Sequence, residues 1–444
     1  MNVQLTVLLL YSASFIAFGA FVSRRVVKAD DFLVAGRRLG PGLLGATFLA
    51  ANIGAGSTVG ATGLGYRYGL GAWWWVGCAG IGSLILAHTV GPRIWALASE
   101  HRWRTVGDFL DHRYNRSVRA LIAALLWAGA LMILAAQLLA ISQILTAVID
   151  VPKWEGCLIG GVVVAAYFSV GGLLSSARVN VIQLTVKLAG FALAVPFAIH
   201  AVGGVASLQT ALQHTKPIGA PGILTWMAVI IPSFVISPGL IQKLYAGRDE
   251  RAVRTGVSWN AVGLLLFAFV PAILGAIAHA RFPALADSEQ ALPMLMTRVL
   301  PPWLGLLTLA SVFSAELSAS DAVLFMLSSS LTVDLYKTFL RPKAPDADLL
   351  FVGRVVAVVG AVVAVLLAIA LPSIIAGLQI FYTLMAVAIT APLVVGLYSS
   401  GPTARRALIA IVSAVIVTGV TQAAGLALAA PSGLAMGFVI MLLP

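Results

Sequence analysis

Residues 45–65 read GATFLAANIGAGSTVGATGLG, an apolar run with Gly54, Gly56 and Gly60 in its middle. Residues 226–244 read WMAVIIPSFVISPGLIQKL and carry Pro232, Pro238 and Gly239. Taken singly, each run has a plain explanation: glycines let membrane helices pack closely, and a proline kinks a helix. The two runs are the second and the seventh of a series of apolar segments. An offset of five sends them through a membrane in opposite directions. Interrupted helices at matching positions of two inverted halves point to a transporter's binding site, because unwinding frees backbone carbonyls and amides at the bilayer midplane.

The rest of the 444-residue chain supports a membrane setting. Hydrophobic residues make up 60% and charged residues 10%, against about 25% charged in soluble domains. A span needs about 20 apolar residues. Thirteen segments qualify, at roughly 3–22, 39–66, 68–96, 117–151, 155–172, 179–204, 222–247, 252–280, 300–337, 350–371, 373–399, 404–426 and 432–444, the last being short. No connection is long enough for a soluble domain. The longest, SEHRWRTVGDFLDHRYNR at 99–116, predicts a short interfacial helix. The first segment has no basic flank and is longer than a signal-peptide core, so it reads as a retained helix.

The net charge of +12 is a matter of topology. With the N-terminus outside and every segment crossing, 23 of the 28 basic residues fall on or beside the cytoplasmic side, Lys187 and Lys243 among them. Only Arg67, Lys153, Lys216, Arg281 and Arg298 fall outside. This is the positive-inside pattern, and it argues against nucleic-acid binding. Cys78 and Cys157 lie far apart in apolar runs and read as packing residues, with no metal pair or disulfide framework. No Walker loop, HExxH or GxSxG is present, and no catalytic residue or cofactor is expected.

Two carboxylates stand inside the segment LASVFSAELSASDAVLFMLSSSLTVDLYK: Glu316 and Asp321. Each costs about 2.5–3.5 kcal/mol at a helix centre, which implies burial against protein or water. On a helix, Ser311, Ser314, Ala315, Ser318 and Asp321 share one face, with Glu316 on another. Glu316 is open to two readings, a functional acid or a protonated carboxyl bonded to a neighbouring helix. His88 reads as a side chain bonded to a backbone carbonyl. Trp73, Trp74 and Trp75 read as an interfacial belt, with room for one to line a pocket.

Several stretches in order carry a family pattern: DFLVAGRRLG before the second segment, then AANIGAGSTVGATGLGYRYGLGAWW, SVGGLLSSARVNVIQ, GLIQKLYAGRDERAVRTG and LTVDLYK. With these the sequence resembles the sodium/solute symporters, the family of sodium/proline, sodium/pantothenate and sodium/glucose carriers. The resemblance spans roughly Asp31 to Ser400. It implies an all-α, LeuT-type fold with about 13 transmembrane helices and its N-terminus outside. A helix at 3–22 would precede a first repeat at about 39–204 and an inverted second repeat at about 222–399, and helices at 404–444 would follow, all in one transporter domain over 1–444. It further implies alternating access in a cell membrane, plasma or inner, with a small organic solute carried inward alongside sodium.

The resemblance also implies where the ion sits. The family's sodium site uses backbone carbonyls of the second segment, here Ala50 and Ile53, and an element of the ninth, here Ala315, Ser318 and Ala319. Ala319 stands where a hydroxyl is usual, and a hard cation wants oxygen ligands. Asp321 is a possible substitute. Asn180 stands where many members carry Asp, so no auxiliary ion site is expected. The solute pocket is expected between the second, third, seventh and eleventh segments, lined by Asn52, Ser57, Trp75, Ser233, Phe234, Ser237 and Tyr382. No charge beyond the ninth-segment carboxylates is expected to reach it, which favours a neutral or anionic solute.

Three rivals remain. The same fold could couple to protons through Asp321. An intramembrane enzyme using Glu316 and Asp321 is disfavoured because five positions on a helix turn them about 140° apart. A transporter-like sensor would be expected to carry a signalling domain, and the chain ends at Pro444 just after its last apolar run. Solute, coupling ion and lipid bilayer are the expected partners, with no obligatory protein partner and no bound metal beyond the coupling cation.

Overall fold

The computed structural model describes residues 6, 10, 11, 13, 14, 34–170, 173–426 and 428–443. Most of the segment at 3–22, with Arg24, Arg25 and Lys28, lies outside the described residues, as do the side chains of 169, 170 and 173–178.

The described chain is helical throughout. Its helices are α1 (Pro41–Asn52), α2 (Val59–Tyr68), α3 (Trp73–His88), α4 (Val90–His101), α5 (Val106–Arg113), α6 (Arg116–Ile149), α7 (Lys153–Val170), α8 (Leu173–Ala201), α9 (Val205–Gln213) and α10 (Ala220–Ile236). They continue with α11 (Pro238–Leu244), α12 (Glu250–Phe267), α13 (Phe269–Arg281), α14 (Ala291–Arg298), α15 (Pro302–Ser329), α16 (Asp346–Ala370), α17 (Ile374–Tyr398), α18 (Ala404–Ala423) and α19 (Ala429–Leu442). The end of α15 widens into a π-helical stretch, Ser330–Leu340. Among the described residues, nine helical stretches are long and apolar enough to cross a membrane, and α19 is a shorter apolar one.

Both punctuated segments are interrupted. α1 stops at Asn52 and α2 begins at Val59, with Ile53 extended between them. α10 stops at Ile236, and Ser237, not helical, leads into α11. The seventh segment therefore breaks at one residue, and Pro232 stays inside α10. The two interrupted pairs run antiparallel. Leu39, which enters α1, exchanges backbone bonds with Ala246 and Arg248, just past α11. At the other face, Ile218, just before α10, meets Gly71, just past α2. The connection 99–116 contains the short helix α5, held by the capping box of Thr105 and Asp108.

Small residues let these helices touch. A Cβ added at Gly275 of α13 would press into the backbone of α2 at Gly65. One added at Gly190 of α8 would fall on Ser311 of α15. Close approach of this kind, with hydroxyls bonding across, is what holds helices together where lipid offers no hydrophobic drive. The serine face of α15 is such a seam: Ser311 Oγ donates to the Val186 carbonyl of α8 at 2.8 Å, and Ser314 Oγ to that of Gln183 at 3.4 Å.

At the basic face a buried ionic cluster ties α5, α6 and the π-helical stretch together. Arg119 pairs with Asp334 at 2.9 Å and Asp108 at 2.8 Å, and Thr105 donates to Asp334 at 2.5 Å. At the opposite face, Glu289 accepts the Ile374 N–H at 2.9 Å and so caps α17.

The charge reading needs correction at two places. Lys187 is fully buried and Lys243 is 4% exposed, so these two are interior residues. His88 meets the hydroxyl of Ser258 at 3.2 Å, where a backbone carbonyl was expected.

Candidate functional site

The break between α1 and α2 is stitched by its own polar atoms. Ser57 Oγ takes the Gly54 N–H at 3.0 Å and donates to the Asn52 carbonyl at 2.9 Å. The Ser57 N–H turns to the Gly54 carbonyl. Trp75 Nε1 donates to the Gly56 carbonyl at 2.9 Å, and Gln137 Oε1 accepts the Ala55 N–H at 2.9 Å. This stitching frees two carbonyls. In an unbroken helix Ala50 and Ile53 would receive the N–H groups of Gly54 and Ser57. Here both amides are engaged elsewhere, so both carbonyls face inward.

The group that meets them is Lys187. Its Nζ donates to the Ala50 carbonyl at 2.6 Å, the Ile53 carbonyl at 3.1 Å and Ser318 Oγ at 2.5 Å. Ser318 Oγ in turn donates to the Ala50 carbonyl at 2.8 Å and lies 3.3 Å from that of Ala315. An ammonium has three N–H donors, and all three are matched. Of the expected cation ligands, the structure therefore brings Ala50, Ile53 and Ser318 around one point, with Ala315 one contact further on. Asp321 lies elsewhere: its charge acts on Lys243, while the charges acting on Lys187 come from Glu316 and Lys243. Ala319 packs against Gly54, where a Cβ would collide with it. Asn180, on α8, is buried, 1% exposed.

Glu316 turns to the other side of α15 and accepts from Thr58 Oγ1 at 2.8 Å. Its Oε2 has no partner among the described residues. That is a bond to a neighbouring helix, and the broken segment is the neighbour.

All seven expected pocket residues, Asn52, Ser57, Trp75, Ser233, Phe234, Ser237 and Tyr382, line one cavity of about 90 Å³. Asn52 donates to Asn260 at 3.0 Å, and Ser233 donates to the Tyr382 carbonyl at 2.7 Å. Gln137 and Lys243 line it too, and neither was expected. Lys243 corrects the view that no charge but the ninth-segment carboxylates reaches the pocket. Trp75, Trp226, Phe234 and Tyr382 stack edge to face or tilted, at centroid distances of 5.6–5.9 Å. Trp75 and Tyr382 also line a second cavity of about 540 Å³, so this aromatic group stands between the two. Toward the basic face, Met326 separates the central cavity from a crevice reaching Thr105 and Asp334.

A central cavity between two antiparallel interrupted helices, partitioned on both sides, matches known carriers. The chain is 28% identical over 425 residues to the sodium/pantothenate symporter of Escherichia coli (strain K12), covering 89% of this chain and 84% of that one. It is 24% identical to the sodium/glucose cotransporter of Vibrio parahaemolyticus, covering 93% and 84%. Among solved structures, a Na⁺-coupled sialic acid symporter in a substrate-bound outward-open state superposes with a TM-score of 0.83 at 16% identity, covering 99% and 97%. Mhp1, a nucleobase-cation-symport-1 family transporter, gives 0.64 at 14%, covering 92% of each chain. Those likenesses establish a transporter fold, and the apolar spans make the chain a multi-pass protein of the cell membrane. Residues 32–413 match the profile of the Sodium:solute symporter family. Sodium-coupled symport of small solutes is that family's activity, and this chain belongs to the sodium:solute symporter family.

Proposed function

We propose that this transporter carries a small carboxylate-bearing or neutral organic solute inward through the cavity of about 90 Å³ between α1–α2 and α10–α11. The observation that carries the reading is the meeting of both helix interruptions, the aromatic group and the buried Lys243 in one cavity. Lys243 supplies a positive charge for a carboxylate. Trp75, Phe234 and Tyr382 supply apolar contact. Relatives named for pantothenate and proline support a solute of that size and charge. Alternating access would open the aromatic group or the Arg119–Asp334 cluster in turn. The full topology we propose has about 13 helices, an external N-terminus and two inverted five-helix repeats at about 39–204 and 222–399. The chain acts as a carrier and no enzymatic step is assigned to Glu316 and Asp321.

A thermal-shift screen of the purified protein against small carboxylates, amino acids and sugars tests this. A solute that binds only the folded state raises Tm with concentration. Lys243→Met should abolish the rise for a carboxylate and keep it for a neutral solute. A carboxylate whose rise survives Lys243→Met, or no rise with any of these solutes, would contradict the assignment.

A further inference from the structure

The oxygens around Lys187 have the composition of a sodium site: two main-chain carbonyls freed by a helix break and a hydroxyl from the facing helix. Hard monovalent cations are held by such oxygens. Here the centre of the set is a nitrogen of the protein itself. α8 is held against α15 by Ser311, Ser314 and the absence of a side chain at Gly190. That docking brings the Lys187 stem across to the broken segment and delivers its amine.

We propose that the Lys187 amine is a tethered stand-in for the coupling sodium, filling this site so that no sodium enters it while the side chain is in place. The occupancy of the site can be read without any solute.

As an ammonium, Nζ gives its three hydrogens to Ala50, Ile53 and Ser318, and Ser318 gives its own hydrogen to Ala50. The oxygens that would hold a cation are thus already engaged, by charge-assisted bonds roughly twice as strong as neutral ones.

The test counts ²²Na⁺ bound by the purified full chain. Lys187→Ala vacates the oxygens, so this variant should bind one more sodium per chain than wild type and gain a sodium-specific rise in Tm. Lys187→Ser serves if the alanine variant misfolds. Equal stoichiometry in wild type and either folded variant would overturn the proposal. So would sodium binding by wild type that Ser318→Ala removes.

Discussion

Asp321 and Lys243 are buried groups of opposite charge that can be removed one at a time. Lys243 lines the cavity and is nearly inaccessible, and Asp321 is the carboxylate acting on it. Removing one member of a buried pair costs about 3–5 kcal/mol, while removing both can be nearly neutral. Asp321→Asn and Lys243→Met should each lower stability on that scale, and the double variant should recover most of the loss. Tm measurements on the four proteins supply the coupling energy. Additive losses would mean that the two side chains do not sense each other. The sequence marks Asp321 at once, because an acid in the middle of an apolar run is costly. Lys187 and Lys243 carry the same cost, yet in sequence both pass as basic residues near the cytoplasm. The overlooked signal is position: Lys187 lies midway along a 29-residue helix, where no loop can reach it. Gln137 escapes sequence reading for want of any periodic pattern, being one of two glutamines in a 34-residue apolar helix.

At the scale of elements, the breaks were legible and their chemistry was only partly so. Three glycines in the second segment left the backbone free to unwind, and the structure unwinds it at Ile53–Thr58. In the seventh, Pro232 and Pro238 looked equivalent, but Pro232 is carried within α10 and only Ser237 leaves the helix. A helix can curve around one missing N–H, so a proline alone does not locate a break. The path of the chain through a break depends on contacts from distant helices, and no local pattern encodes those. Two packing claims can be tested here. Gly275→Ala would drive a methyl into the α2 backbone, and overpacking of this kind costs about 1–3 kcal/mol; an unchanged Tm would show that α13 and α2 are not in contact. Glu289, in the connection before α14, is pushed up to about 7 from 4.5 by burial, against the pull of the Ile374 and Ile375 N–H groups. Its folded form keeps a proton that the unfolded chain gives up, so its contribution is greatest below the unfolded value and is lost as pH rises through about 7. At the limit the change is about 3 kcal/mol. Glu289→Gln should flatten the fall in Tm between those two pH values, and an unaltered slope would remove Glu289 as its source.

For the whole molecule, the central claim is that a carrier of the sodium:solute symporter family holds, between its two interrupted helices, an ion site already filled by its own lysine. The overall architecture was legible because lipid imposes it: every span must be a helix, and family stretches fixed their order. The filling of that site was not, because it depends on one side chain reaching across from α8. The claim is tested most directly by counting ²²Na⁺ bound per purified chain with and without Lys187. Lys187→Ala should bind one more sodium than wild type, and Ser318→Ala added to it should weaken that extra site. Equal sodium stoichiometry in wild type and a folded Lys187→Ala variant would contradict the account.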